Sequence, residues 1–112
     1  MIATLLTAAA LQLEPSAFAS ACMAGGGAPG RVEASSDRQV ARSVPIASGT
    51  APVTIMVTVN RISRGETVSI WVEDNHALSV RAGGSAVVTG RRIAFGSGEH
   101  QSYDYCLRLR ER

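Results

Sequence analysis

Between Val53 and Asp74 apolar and polar residues alternate with a period of two, interrupted once. Val53, Ile55, Val57 and Val59 fall on one face, with Thr54, Met56, Thr58 and Asn60 on the other. Further on, Val68, Ile70 and Val72 alternate with Thr67, Ser69, Trp71 and Glu73. Alternating β-branched residues mark strands with one face in a core and one nearer solvent. Residues 61–65 between them are polar apart from Ile62, and Gly65 can supply a positive φ. The pattern predicts a hairpin, the centre of the fold.

The same reading extends along the chain. RVEAS from Arg31 predicts a short strand. QVARSVPI predicts another, with Val40, Arg42 and Val44 on one face and Pro45 marking an edge. Residues 48–52, SGTAP, read as a turn into the central hairpin. After a turn at Asp74-Asn75-His76, residues 77–82 place Leu78 and Val80 inward. Gly83-Gly84-Ser85 turns the chain, residues 86–89 form a short apolar strand, Gly90 bends it, and Ile93 and Phe95 share one side of the next strand. The polar stretch 96–102, GSGEHQS, precedes the cleanest alternation: Tyr103, Tyr105, Leu107 and Leu109 against Asp104, Cys106, Arg108 and Arg110. No segment past residue 30 has helical periodicity. Strands spaced this closely, with Gly, Ser and Asn between them, predict an all-β fold. The expected form is a small antiparallel sandwich or barrel of Ig-like or Greek-key type, with about six to eight short strands.

The beginning of the chain has a different texture. Residues 2–13, IATLLTAAALQL, are apolar or small, Glu14-Pro15 breaks the run, and SAFASA follows. That is the layout of a cleavable secretory leader, although no Lys or Arg precedes the apolar run. Cleavage fits after Ala19 or after Ala21, because the peptidase accepts small residues at alternate positions. The run is shorter than the roughly 20 residues that span a bilayer. An amphipathic helix is the competing reading, with Ile2, Leu5, Leu6, Ala9 and Leu13 on one side. The opposite side, however, is Thr and Ala rather than charge. The expected organisation is a leader over 1–21, a flexible Gly/Ala/Pro linker over 22–30 and one all-β domain over 31–112.

At 112 residues the chain holds one domain. A domain of roughly 90 residues buries only about 60–65% of its unfolded surface, so a covalent staple helps it. Cys22 and Cys106 are the two cysteines, and an exported chain of this size favours a disulfide between them. It would pin the N-terminal arm to the side of the last strand opposite Tyr105 and Leu107. Cleavage after Ala21 would alternatively expose Cys22 as a lipidated first residue, but Ala19 stands where a lipobox usually has Leu.

The net charge of +2 demands no polyanionic partner. Aromatics are few (Phe18, Trp71, Phe95, Tyr103 and Tyr105), which argues against a stacking platform for single-stranded nucleic acid. His100 with Glu99, Asp104 and Cys106 contains the residue types of a Cys-His nucleophilic pair, but a disulfide would remove the nucleophile. A metal could draw on His76, His100, Asp74 and Glu99, yet the two histidines stand far apart, without the short ligand spacing of zinc sites. The Asp74-Asn75-His76 turn lacks the spaced acids of a calcium loop. Neither glycine cluster, 25–27 or 96–98, leads into a helix that would cradle phosphate. No cofactor is expected.

Two surface features remain. Arg108, Arg110 and Arg112 project from one side of the last strand, and Arg91 and Arg92 would join them under some strand orders. They suit an anionic surface polymer, or simply a solvent face that protects a sheet edge. Trp71 on the polar face of its strand is an anchor for a protein partner or a saccharide, or else part of a second apolar layer.

The expectation is an exported, non-enzymatic module of the cell envelope or extracellular space with a structural or binding role. Its candidate surface comprises Trp71, Arg108, Arg110, Glu99 and His100. The alternative is a small inhibitor that presents residues 96–102 to a secreted enzyme; the third reading is a small hydrolase centred on His100. In strand spacing alone the chain resembles pilin-like and other small Ig-like envelope domains, while Cys106 departs from the N-terminal cysteine pairing of pilins.

Overall fold

A computed structural model describes residues 13–33, 42–97 and 101–110. Among them are one helix and six strands. These are α1 (Pro15–Ala24), β1 (Ala28–Val32), β2 (Arg42–Ile62), β3 (Thr67–Val72), β4 (Asn75–Arg81), β5 (Ser85–Ser97) and β6 (Tyr103–Arg110). The strands form a single antiparallel sheet in the order β1-β6-β2-β5-β3-β4. The all-β expectation holds.

One sheet makes its own core because β2 and β5 are long and irregular. Over Val53–Thr58, β2 lies between β6 and the first half of β5. Over Arg42–Ser48 its partner among the described residues is the second half of β5, which in turn pairs with β3. The register of β2 against β5 slips between Ser48 and Val53, and again between Pro45 and Ala47. Extra residues on one strand bend it and increase its twist. The two halves of the sheet therefore share one apolar interior, as in a small sandwich or barrel. Ile55, Val57, Val59, Val68, Ile70, Val80, Val88, Ile93, Phe95 and Tyr103 pack there with Val32. The alternation in β2, β3 and β6 points these residues inward, and Phe95 meets Tyr103 edge to face at 5.3 Å.

Several local expectations change. The stretch 53–74 is not a hairpin. β2 pairs with β5 and β6, and β3 with β4 and β5, so residues 63–66 carry the chain across to the other half of the sheet. Gly65 does take a positive φ, 80°. The SGTAP turn at 48–52 is an irregularity within β2, and the strands expected on either side of Gly90 are one strand, β5. Among the described residues Pro45 does sit where β2 has a neighbour on one side, which accommodates its missing N–H.

The tight hairpin is β3–β4. Val72 pairs with Asn75 around a two-residue loop, Glu73-Asp74, whose φ values are 51° and 69°. Two successive positive φ angles define the turn whose twist matches that of paired strands. The turn therefore lies one residue earlier than Asp74-Asn75-His76, and His76 belongs to β4. Ala77 is the unmatched residue in the slip between Ile70–Leu78 and Trp71–His76.

Residues 22–30 are not a flexible linker. α1 continues to Ala24, and β1 starts at Ala28, pairing with β6 through Pro29–Cys106 and Arg31–Asp104. Gly27 allows the close passage between them, since a Cβ there would meet Cys106 Sγ at 2.6 Å and Cys22 Sγ at 2.8 Å. The lone-strand propensity of Ala-Pro-Gly-Arg-Val is poor; pairing with β6 and the staple beneath it supply what local preference lacks.

Candidate functional site

Cys22 and Cys106 form a disulfide with their Cα atoms 5.8 Å apart. It joins the buried residue of α1 to the face of β6 opposite Tyr105 and Leu107, as the alternation requires. The thiol needed for a Cys106-His100 pair is therefore engaged, as is the one a lipid would modify on Cys22.

Beside the disulfide lies a polar cluster that the alternation alone does not reveal. Asn60 is only 2% exposed and Asp104 5%. The Asn60 amide accepts from the Leu13 N–H at 2.9 Å and donates to the Leu13 carbonyl at 2.7 Å, with a longer contact of 3.4 Å to Asp104 Oδ2. Arg31 Nη1 donates to Asp104 Oδ1 at 2.6 Å, and its Nε donates to Glu33 Oε2 at 2.6 Å. Hydrogen bonds with Glu33 and then Asp104 raise the Arg31 pKa above its ordinary value. A buried carboxylate with a guanidinium and an amide at hand is satisfied rather than reactive. Asp104 serves the fold.

The arginines do not form one stripe. Arg108 lies against the end of α1, where a Cβ on Gly25 would sit 2.5 Å from its Nη2. A cation at a helix C-terminus is favourably placed. Arg110 is exposed opposite Thr54, and Arg112 lies outside the described residues. Arg91 and Arg92 belong to another cluster altogether. Glu73 Oε2 accepts from the Arg91 backbone N–H at 2.7 Å and Oε1 from that of Arg92 at 3.2 Å. Arg92 Nη2 lies 3.0 Å from Asp74 Oδ2. Those backbone donors, Arg91 first, hold the Glu73 carboxyl below its ordinary range against a smaller opposing effect of burial. The β3–β4 turn is thus fastened to the bend in β5, and its two acids and two arginines neutralise one another.

Trp71 remains exposed, as its place on the polar face of β3 predicts. It sits on the outer face of β3 between His76 of β4 and Ala94 of β5, and is 38% exposed. The His76 ring stands edge-on to the indole, with centroids 5.7 Å apart and planes at 83°. His76 Nε2 and Ser79 Oγ are 3.4 Å apart. The pyrrole part of the indole covers Gly96 so closely that any Cβ there would collide with Nε1 and Cδ1. A glycine inside an alternating strand marks such a close approach, and that is the signal in the sequence that Gly96 matters. Around the ring, Ser69, Ser79, Ala94 and Pro45 share this face, all small or uncharged.

Glu99 and His100, expected to border this surface or to carry catalysis, lie outside the described residues, as does the middle of the loop 96–102, residues 98–100. The foot of that loop is described. Gln101 Nε2 donates to the carbonyls of Arg64 and Thr67 at 2.7 and 3.0 Å, and the Ser102 N–H donates to Ser63 Oγ at 2.8 Å. Among the described residues no group of three or more His, Cys, Asp or Glu side chains gathers as a metal site would require. Compared with known proteins, the chain matches no family model and no curated sequence.

Proposed function

We propose that this chain is an exported, non-enzymatic β-sandwich module of the cell envelope or extracellular space, with a binding or structural role. The observation that carries the reading is the Cys22–Cys106 disulfide, because such bonds persist in oxidising compartments and are rare where glutathione keeps thiols reduced. The leader-like run over residues 2–21 supports it, and no described helix is long and apolar enough to cross a membrane. α1 spans both cleavage positions, after Ala19 and after Ala21. The reading therefore has processing occur before this part of the chain settles on the sheet.

Intact-mass measurement of the protein from its native host, with and without reduction before alkylation, tests this. The expected result is a shortened N-terminus and two cysteines that alkylate only after reduction. An unprocessed chain with two free thiols would sink the reading.

A second reading is an inhibitor acting through residues 96–102. The fixed foot of that segment favours it, since Gln101 and Ser102 bind the chain at 63–67 and so limit the entropy lost when the loop docks. A one-to-one complex with a secreted enzyme, abolished by replacing residues 97–100, is its expected signature.

A further inference from the structure

We infer that the outer face of β3, β4 and β5 around Trp71 is a binding site for a neutral glycan, with the exposed indole as the surface on which one pyranose ring stacks. The inference deepens the binding role proposed above and rests on it. A pyranose presents a patch of C–H groups on its face and hydroxyls around its rim. Its complement is a flat aromatic surface bordered by hydrogen-bonding groups that carry no net charge.

The face around Trp71 has those parts. The indole is laid across Gly96, whose missing side chain is what allows the ring to settle against the strand. His76 packs against it with its plane at 83° to the indole and the ring centroids 5.7 Å apart, which restrains the position of the indole. His76 Nε2 and Ser79 Oγ, 3.4 Å apart, supply donor and acceptor capacity at that edge, and Ser69 supplies another hydroxyl from the neighbouring position on β3. A ring held this way loses little freedom when a ligand arrives, which lowers the cost of binding.

Charge selects among occupants. The ionised groups at the near end of this face, Glu73, Asp74, Arg91 and Arg92, are paired with one another. Ser69, Ser79, Ala94, Pro45 and Gly96 bring no charge. Among the described residues the remaining cation of this face is Arg81, opposite Thr67 at the end of β3 away from the indole. An anionic polymer would find a single arginine there rather than a basic patch around the ring, and a nucleic acid would also lack the further aromatics that successive bases need. An uncharged, hydroxylated ligand matches the electrostatics.

Trp71 is the one tryptophan of the chain, so its fluorescence reports on this face alone. The full chain is titrated with hexasaccharides of β-1,4-glucose, β-1,4-N-acetylglucosamine and α-1,4-glucose, and with polygalacturonate as the anionic comparison. The expected result is a saturable change in Trp71 emission with at least one neutral hexasaccharide, insensitive to salt. By calorimetry, His76→Ala weakens that binding by up to about tenfold, and Trp71→Ala by more than that. Wild-type circular dichroism in both variants separates lost contacts from lost folding, and Trp71→Phe, which keeps a flat ring, retains part of the affinity. No response to any neutral hexasaccharide overturns the inference. So does binding of polygalacturonate alone, or an emission change that follows protein concentration without sugar and so reports a second copy of the chain. Glycan binding by a protein that proves unprocessed, with both thiols free, in its host would leave this inference intact while removing the export reading.

Discussion

The Asn60 side chain holds Leu13 by both of its backbone groups, accepting from the N–H at 2.9 Å and donating to the carbonyl at 2.7 Å. A side-chain amide has the same donor and acceptor as a peptide group, so Asn60 pairs with Leu13 much as a strand residue would. The contact brings the chain just ahead of α1 down onto the end of β2. It also closes one side of the cluster formed by Asp104 and Arg31.

In the unprocessed chain, which still carries Leu13, Asn60→Ala should cost about 1–3 kcal/mol, because it removes the buried partner of Leu13 and a contact of Asp104. Urea denaturation measures the loss. The Leu13 amide should at the same time lose its protection in hydrogen exchange, while amides in β3 and β4 keep theirs.

Replacing Cys22 and Cys106 together by Ser should lower stability by about 2–4 kcal/mol, since the bond spans 84 residues of sequence and restricts the unfolded chain. Guanidinium denaturation of the oxidised protein and the double variant gives the difference. Equal midpoints would show that β1 and α1 stay in place without the bond.

Arg31 separates a buried partner from an exposed one. Arg31→Ala leaves the Asp104 carboxylate with only the distant Asn60 amide and should cost about 1.5–3 kcal/mol. Glu33→Ala removes the other partner, which is solvent-exposed, and should cost less than about 1 kcal/mol. The ranking of the two in urea is the check; a larger effect from Glu33 would contradict it.

Glu73 gives the fold a pH dependence of definite sign. Its carboxyl is held below the ordinary value of 4.5 by the backbone N–H groups of Arg91 and Arg92. A group whose pKa falls on folding contributes stability above its unfolded pKa. That contribution fades as pH drops through 4.5 and is gone below the folded value. Glu73→Gln should therefore be less stable than the parent at pH 7, and the gap should close in acid. Thermal midpoints across that range read it directly.

Gly96→Val tests the seat of the indole. A side chain at this position collides with the Trp71 pyrrole ring, so the ring must lift toward solvent. Tryptophan emission should move to longer wavelength, and stability should fall by about 1–3 kcal/mol as the local packing is disturbed. Unchanged emission would mean the ring does not rest there.

What the chain disclosed beforehand follows from the range of the forces involved. The inward and outward faces of β3, β6 and the second half of β2 were readable, because alternation is a local property of consecutive side chains. So was the side of β6 that carries Cys106. Partner choice was not. Gly65 advertises a turn, and a turn between two alternating segments suggests that they pair. Yet each segment pairs with β5 rather than with the other. The true hairpin carries Glu73 and Asp74 in left-handed conformations without a glycine, and its anchor is the backbone of Arg91 and Arg92, remote in sequence. The Gly/Ala/Pro stretch before Val32 similarly looks unstructured until β6 is beside it. At the candidate site, Trp71 stood out by its place on a polar face, whereas the roles of His76 and Gly96 depend on strand order.

β2 runs 21 residues without a break through both halves of the sheet, and β5 accompanies it for most of that length. Neither half owns a complete set of strands, so there is no seam along which the domain can come apart piecemeal. Heat should melt it in a single step, with calorimetric and van't Hoff enthalpies in agreement. A site resting on β3 to β5 thereby inherits the rigidity of strands on the far side of the molecule.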